Sequence, residues 1–236
     1  MRELLNRCLY LLYPKRCDLC GEVIALDEAR CEECRNTKPI TGKICRKCGR
    51  EEATCRCQQQ KFSPGYRAFC APYYFDGSMR KGVYRLKNSG FTELVPGMAD
   101  AVVAACRQRY EAVMFDAVTF VPMRRRRQRR RGYNQSRLLA EAVAKRYGIP
   151  CVPLLKKVKN TRSQRTSDAS QRKVNLYGAF AVIDGAEVAG KTLLIVDDVK
   201  TTGYTLSECA VMLNAAGAAA VYAAAFTVTG EHRHIK

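Results

Sequence analysis

Between Leu193 and Thr205 the chain reads LLIVDDVKTTGYT: an unbroken apolar run, two adjacent aspartates, then hydroxyl-bearing residues around one glycine. A short apolar run without alternation suits a strand covered on both faces, which points to a parallel sheet flanked by helices. In open sheets of that kind, ligands sit in the crevice beyond the carboxyl ends of the strands. Asp197 and Asp198, where the apolar run stops, are therefore placed to accept hydrogen bonds from vicinal hydroxyls such as those of a ribose. Thr201, Thr202, Gly203, Tyr204 and Thr205 lead into a helix-like stretch from Leu206 to Ala216, whose first backbone N–H groups lack intrahelical partners and suit a phosphate. The lysine and second glycine of a Walker A loop are missing, as is a G-x-G-x-x-G fingerprint, which argues against a nucleoside triphosphate. An Asp-Asp turn after a buried strand is, taken alone, also compatible with a structural or metal-binding role. It is the whole pattern that specifies more.

Cysteine spacing is the second constraint. Of thirteen cysteines, eight fall in four close pairs between Cys17 and Cys57. Cys17-x-x-Cys20-Gly21 and Cys45-x-x-Cys48-Gly49 read as knuckles, in which a tight turn brings two sulphurs onto one metal and the glycine relieves the backbone. Each is followed by a further pair, Cys31 with Cys34 and Cys55 with Cys57. The simplest assignment is two successive tetrahedral Cys₄ zinc sites: Cys17, Cys20, Cys31 and Cys34, then Cys45, Cys48, Cys55 and Cys57. Spacing leaves pairing between the two sets open. The first residues carry no secretion signal and cytosolic thiols stay reduced, so metal ligation ranks above disulfides, and zinc above an iron–sulphur cluster. All-thiolate sites without an open position are structural, and a head of about fifty residues that cannot bury much core needs that support. Cys8, Cys70, Cys106, Cys151 and Cys209 read as small core residues.

The chain is long enough for one well-buried domain plus a small appendage: 236 residues, 47% of them hydrophobic. Its 41 Lys and Arg against 22 Asp and Glu give +19, which calls for an anionic partner: nucleic acid, a phosphorylated small molecule or an anionic membrane. Two zinc tetrathiolates lower that only to roughly +15. No run of about 18 apolar residues exists, so no spanning helix is expected. The opening MRELLNRCLYLLYP sets Leu4, Leu5, Cys8, Leu9 and Leu12 on one helical face and reads as a docking helix. Arg2, Arg7, Lys15 and Arg16 around it leave peripheral membrane contact as the alternative, and the expected location is the cytoplasm.

The organisation expected is an N-terminal helix with a double zinc-binding module over 1–60, a linker over 61–70 and the α/β domain over 71–236. That domain opens with a strand from Ala71 to Phe75 and continues through a helix from Thr92 to Tyr110 and a strand from Ala117 to Val121. Next comes VPMRRRRQRRRGYNQS, in which Arg124, Arg125, Arg126, Arg127, Arg129, Arg130 and Arg131 crowd a loop. A loop after a strand points toward the crevice of the Asp pair, although a solvated charged face would have the same composition. Asn134 is placed to cap a helix with an apolar stripe through Leu138, Leu139, Ala142, Val143 and Tyr147, ending at Gly148. Lys156 to Asn175, polar and basic, reads as a lid, while His232 and His234 fall in an exposed tail.

VDDVKTTGYT resembles the phosphoribosyl pyrophosphate (PRPP) signature of type I phosphoribosyltransferases. The resemblance implies that Asp197 and Asp198 hold the ribose hydroxyls and that Thr201 to Thr205 hold the 5′-phosphate. Lys200 departs from the family, where that position is commonly apolar or aromatic. The order VPMRRRRQRRRGYNQS, TRSQRTSDASQRKVN with YGAF, then VDDVKTTGYTL is similar to the ComF family across essentially the whole chain. That family is associated with bacterial competence and DNA uptake, and it joins a zinc-binding head to a phosphoribosyltransferase-like domain. The resemblance implies Mg²⁺ with PRPP, structural Zn²⁺, single-stranded DNA and DNA-uptake machinery as partners. Lys87 and the arginine loop become candidate contacts to pyrophosphate or nucleic acid, and no catalytic residue is assigned. The competing reading is a metabolic phosphoribosyltransferase that makes a nucleotide or an amine-bearing ribose phosphate.

Overall fold

The computed structural model describes residues 10, 13–58, 63–158 and 178–230. The expected docking helix, apart from Tyr10, Tyr13 and Pro14, lies outside the described residues. So do most of the expected lid, His232 and His234.

A five-stranded sheet is built from β1 (Phe69–Cys70), β2 (Tyr73–Tyr74), β3 (Ala117–Phe120), β6 (Thr192–Lys200) and β7 (Ala220–Val228). The order is β1-β7-β6-β3, with β2 also paired to β7, and every pairing is parallel. Central β6 is covered on both faces, and Leu193, Leu194, Ile195 and Val196 are all 0% exposed. Side chains alternate between two cores as the pleat requires. Leu194, Val196, Val118, Ala224 and Phe226 pack with α2 (Gly77–Asn88), α3 (Val95–Arg109) and α5 (Gln135–Tyr147). Leu193, Ile195, Ala117, Ala223 and Ala225 pack with α6 (Tyr204–Ala215) and an antiparallel pair, β4 (Leu155–Lys157) and β5 (Phe180–Val182).

The expected strand from Ala71 to Phe75 is broken, because Pro72 has no N–H to give a ladder; its carbonyl accepts from Ile40 N at 2.7 Å instead. The helix expected from Thr92 begins as a 3₁₀ turn and becomes α3 at Val95, with a proline in its first turn. Asn134 caps α5 by accepting from Ser136 N at 3.0 Å, and Gly148 closes it with φ of 68°. The arginine segment is not a loop: Arg125–Arg131 form a helix, α4, ended by Gly132 at φ of 88°.

The head is two copies of one turn. Cys17 N donates to Glu22 O and Gly21 N to Cys17 O, while Cys45 N donates to Arg50 O and Gly49 N to Cys45 O. Each knuckle is closed by a bridge, Arg16 with Val23 and Ile44 with Glu51. A short helix, α1 (Glu32–Asn36), carries Cys34. Cys17, Leu19, Cys20, Ile24 and Cys34 share one core with Met79, Val83, Leu86 and Met98. Contact is close enough that a Cβ on Gly82 would stand 2.0 Å from the Leu19 carbonyl oxygen. No helix among the described residues is long and apolar enough to cross a membrane.

Candidate functional site

The crevice opens where β3 stops accompanying β6. Their pairing ends at Phe120 with Val196, whereas β7 stays beside β6 as far as Lys200. The strand therefore runs on through the carboxylate pair instead of stopping before it, and the edge of β6 vacated by β3 is where the carboxylates meet the rest of the site.

Asp197 Oδ1 accepts from Ser136 Oγ at 2.7 Å and from Asp198 N at 2.9 Å. Burial, reinforced by the Asp198 charge, raises the Asp197 carboxyl to about 7, and the Ser136 hydrogen bond opposes that rise. Asp198 is 4% exposed, and its Oδ2 lies 2.6 Å from Lys87 Nζ. Among the described residues no aligned hydrogen bond reaches that oxygen, and the lysine holds it as an ion pair. Lys87 is carried by α2, and α2 is seated on the first knuckle: Arg85 donates to the Cys20 carbonyl at 2.8 Å and pairs with Glu22 at 3.0 Å.

Past Lys200, Thr201 to Gly203 form a tight turn in which Gly203 takes φ of 85°, a conformation natural to glycine. α6 starts at Tyr204 with no side-chain cap and no acidic residue in its first turn. Its leading N–H groups thus meet the conditions for anion binding. Ser207 N is already used within the helix, donating to Gly203 O at 2.9 Å.

The arginines divide. Arg125, Arg126, Arg127, Arg129 and Arg130 are exposed, whereas Arg124 and Arg131 at the ends of the segment are half-buried. Arg131 donates to Gln135 Oε1 at 2.6 Å; burial and then Arg127 lower its affinity for a proton, against the pull of Asp198. Lys157 on β4 stands 5.0 Å over the Phe180 ring, and its pKa is lowered by burial and then by Arg124, with Asp197 opposing. Lys87, Arg131 and Lys157 thus bring positive charge to the carboxylates from three elements. Ser136 and Lys157 belong to this constellation, yet sequence reading gives neither a role, although Ser136 closes the VPMRRRRQRRRGYNQS segment. Ser136 sits 61 residues from Asp197, and Lys157 lies in a segment whose composition signals only a basic loop.

The head holds two sulphur clusters, Cys17, Cys20, Cys31 and Cys34, and Cys45, Cys48, Cys55 and Cys57, each with all four Sγ within 4.8 Å of one another. Cys20 and Cys31 Sγ are 3.5 Å apart, Cys48 and Cys55 3.6 Å. Four thiolates about 2.3 Å from a tetrahedral zinc would stand about 3.8 Å apart, so the donor sets fit the metal. Neither cluster includes histidine or a carboxylate, as befits closed structural sites. Cys70 and Cys106 form a buried contact of their own, with sulphurs 3.3 Å apart, and Cys209 is fully buried. Cys151 is half-buried, and Cys8 lies outside the described residues.

Residues 8–71 match the double zinc ribbon domain family, and 134–234 match the phosphoribosyl transferase domain family. The DNA utilization protein YhgH of Salmonella typhimurium is 31% identical over 223 residues, covering 89% of this chain and 96% of that protein. Competence protein F of Haemophilus influenzae is 35% identical over 117 residues, 49% of this chain and 51% of that protein. Competence protein ComFC of Bacillus subtilis is 29% identical over 223 residues, 91% and 85% of the two chains. Among solved structures, a glutamine PRPP amidotransferase from B. subtilis aligns with TM-score 0.37 at 25% identity, over 55% of this chain but only 25% of the amidotransferase. An adenine phosphoribosyltransferase aligns with TM-score 0.37 at 15% identity, over 62% of this chain and 83% of that one.

Proposed function

The chain belongs to the ComF family of competence and DNA-utilization proteins, and from that premise we propose that its crevice binds Mg²⁺–PRPP while its arginine helix contacts single-stranded DNA during DNA uptake or processing. One observation carries the ligand reading: an adjacent carboxylate pair at the open edge of β6, followed directly by a glycine turn and an uncapped helix.

In this reading Asp197 and Asp198 accept hydrogen bonds from the ribose hydroxyls, and the N–H groups and hydroxyls of Thr201 to Thr205 hold the 5′-phosphate. The hydroxyls take the place of Lys87 at Asp198, and the lysine is released toward the diphosphate. Arg131 and Lys157 add charge on the same side. Mg²⁺ suits this oxygen-rich surrounding: Asp197 and Asp198 are the hard donors that would hold it, and when bound it would supply counter-charge to the diphosphate. The residues themselves orient the ribose and stabilise charge.

Calorimetry with Mg²⁺–PRPP tests the site. Replacing both aspartates by alanine removes hydrogen bonds to charged acceptors worth roughly 1.5–3 kcal/mol each, so affinity should fall at least about tenfold in a protein that still folds. Unchanged affinity would put the ribose elsewhere. The inward charge of Arg131 and Lys157 also favours the second reading, a metabolic phosphoribosyltransferase. Pyrophosphate release with a panel of bases and amines, run beside DNA binding on one preparation, separates the two. Turnover without DNA binding selects the metabolic enzyme.

A further inference from the structure

The carboxyl end of β6 is fastened to the second zinc ribbon. Lys200, the last residue of that strand, is 2% exposed; its Nζ donates to the Cys48 carbonyl at 3.2 Å and stands 4.9 Å over the Phe69 ring. Phe69 is held by the same knuckle: its N–H donates to Arg46 O at 2.8 Å, and a Cβ on Gly49 would lie 2.4 Å from its ring. A second tie runs beside the first. Arg50 Nε donates to the Thr229 carbonyl at 2.8 Å, Thr229 N donates to Lys200 O at 3.0 Å, and Thr229 Oγ1 donates to Thr201 O at 3.4 Å. Both ties end at the residues from which the glycine turn departs.

A buried ammonium is a costly way to fill space and is retained where a counter-charge repays its desolvation. Four thiolates around Zn²⁺ carry a net charge of about −2, and the knuckle carbonyl that Lys200 holds belongs to one of the cluster's cysteines. The first cluster has a different reach: its knuckle seats α2, and α2 presents Lys87 to Asp198. The two clusters therefore bear on opposite ends of the crevice, the first on the carboxylates and the second on the turn before α6.

We propose that Lys200 is a positioning residue that couples the second zinc site to the 5′-phosphate loop, so that metal in the ribbon fixes Thr201 to Thr205 in their ligand-binding arrangement. The inference rests on the reading of that loop as the phosphate site. With zinc bound, the knuckle offers Lys200 a rigid carbonyl and a negative cluster. When the metal leaves, both ties lose their anchor and the loop loosens. Because coupling is reciprocal, a ligand that engages the loop must tighten zinc in the second site by the same factor.

The test uses the full-length zinc-loaded protein, with ribose 5-phosphate and Mg²⁺–PRPP as probes. Lys200→Met keeps the bulk and removes the charge, and Arg50→Met cuts the parallel tie should the first variant fail to fold. Losing an outer-shell partner of a metal typically costs about 10–100-fold in metal affinity or activity, and carried through the coupling this should lower affinity for both probes roughly tenfold in either variant. Release of zinc to a colorimetric chelator supplies the readout that a merely structural role would not move. At equilibrium with the chelator, saturating ribose 5-phosphate should raise the wild type's retention of one of its two ions, and the variants should lose that gain. If the wild type binds the probes but its zinc release is indifferent to them, or the variants bind as it does, the coupling is wrong while the site reading stands. A wild type that binds neither probe removes the site reading and the coupling with it.

Discussion

Asp197 ties the stability of the fold to pH, and the proposed site would tie it to ligand as well. Its carboxyl rises from the ordinary value of 3.8 to about 7 in the folded chain, through burial and then Asp198. A group whose folded value lies above its unfolded one contributes stability that is fully present below the unfolded value and is lost as pH rises through about 7. In the proposed site ribose hydroxyls would donate to the ionised form, so ligand and proton would compete, and affinity for Mg²⁺–PRPP should weaken as pH falls below that point. Ser136 provides the side-chain hydrogen bond that favours the charged form. Ser136→Ala should therefore move the midpoint of the affinity–pH curve upward, toward alkaline pH. Calorimetry at several pH values, in buffers of differing ionisation heat, measures both the midpoint and the proton released on binding. A midpoint indifferent to the serine would detach the carboxylate from the ligand. The aspartates are legible in the sequence because strand, pair and turn are contiguous. The roles of Ser136 and Lys157 are not, because they join the site only when α5 packs on β6 and β4 enters the core that β6 shares.

At the scale of elements, α4 departs most from what composition suggests. Seven arginines in eight residues offer no apolar stripe, so periodicity is silent. Arginine is nonetheless a good helix former, and Gly132 supplies the left-handed closing residue, its N–H donating to Gln128 O at 2.7 Å. The helix turns five exposed guanidinium groups to solvent. Like charges so close repel one another, and a polyanion relieves that. Single-stranded DNA should accordingly bind with little sequence preference, and its affinity should fall with salt at a slope near −0.7 per phosphate neutralised. Exchanging Arg125, Arg126, Arg129 and Arg130 for glutamine should flatten that slope by about three units, while leaving Arg131 to the crevice. Fluorescence titrations at several salt concentrations read it. An unaltered slope, or no binding at about 50 mM salt, would hand the charge to the small-molecule reading. The extension of β6 to Lys200 was similarly hidden: what prolongs it is β7, pairing Val199 with Thr227 and Lys200 with Val228.

Across the whole molecule, the two clusters of cysteines are structural supports of the sheet rather than ornaments of a detachable head. Their spacing is local and was plain in the sequence. What they brace was not, because those contacts span the chain: Arg85 to Cys20, Lys200 to Cys48, Arg50 to Thr229. Apparent zinc binding in small ribbons is worth about 10–16 kcal/mol per site, comparable to the roughly 5–15 kcal/mol that holds a whole domain. Hydrogen bonds from Cys20 and then Cys34 hold the Cys17 thiol below the ordinary range, the direction that suits a group that ligates metal as a thiolate. Stripping the metal under reducing conditions should therefore lower the melting temperature of the sheet itself. Unfolding should remain a single transition, since first-cluster cysteines share a core with α2, α3 and β6. Scanning calorimetry with and without a chelator, followed by zinc restoration, checks this, and recovery of the transition would tie the loss to the ion. Should the sheet melt at the same temperature once both ions are gone, the ribbons are passengers. The ties from Cys20 and Cys48 toward the crevice would then describe proximity without mechanical consequence.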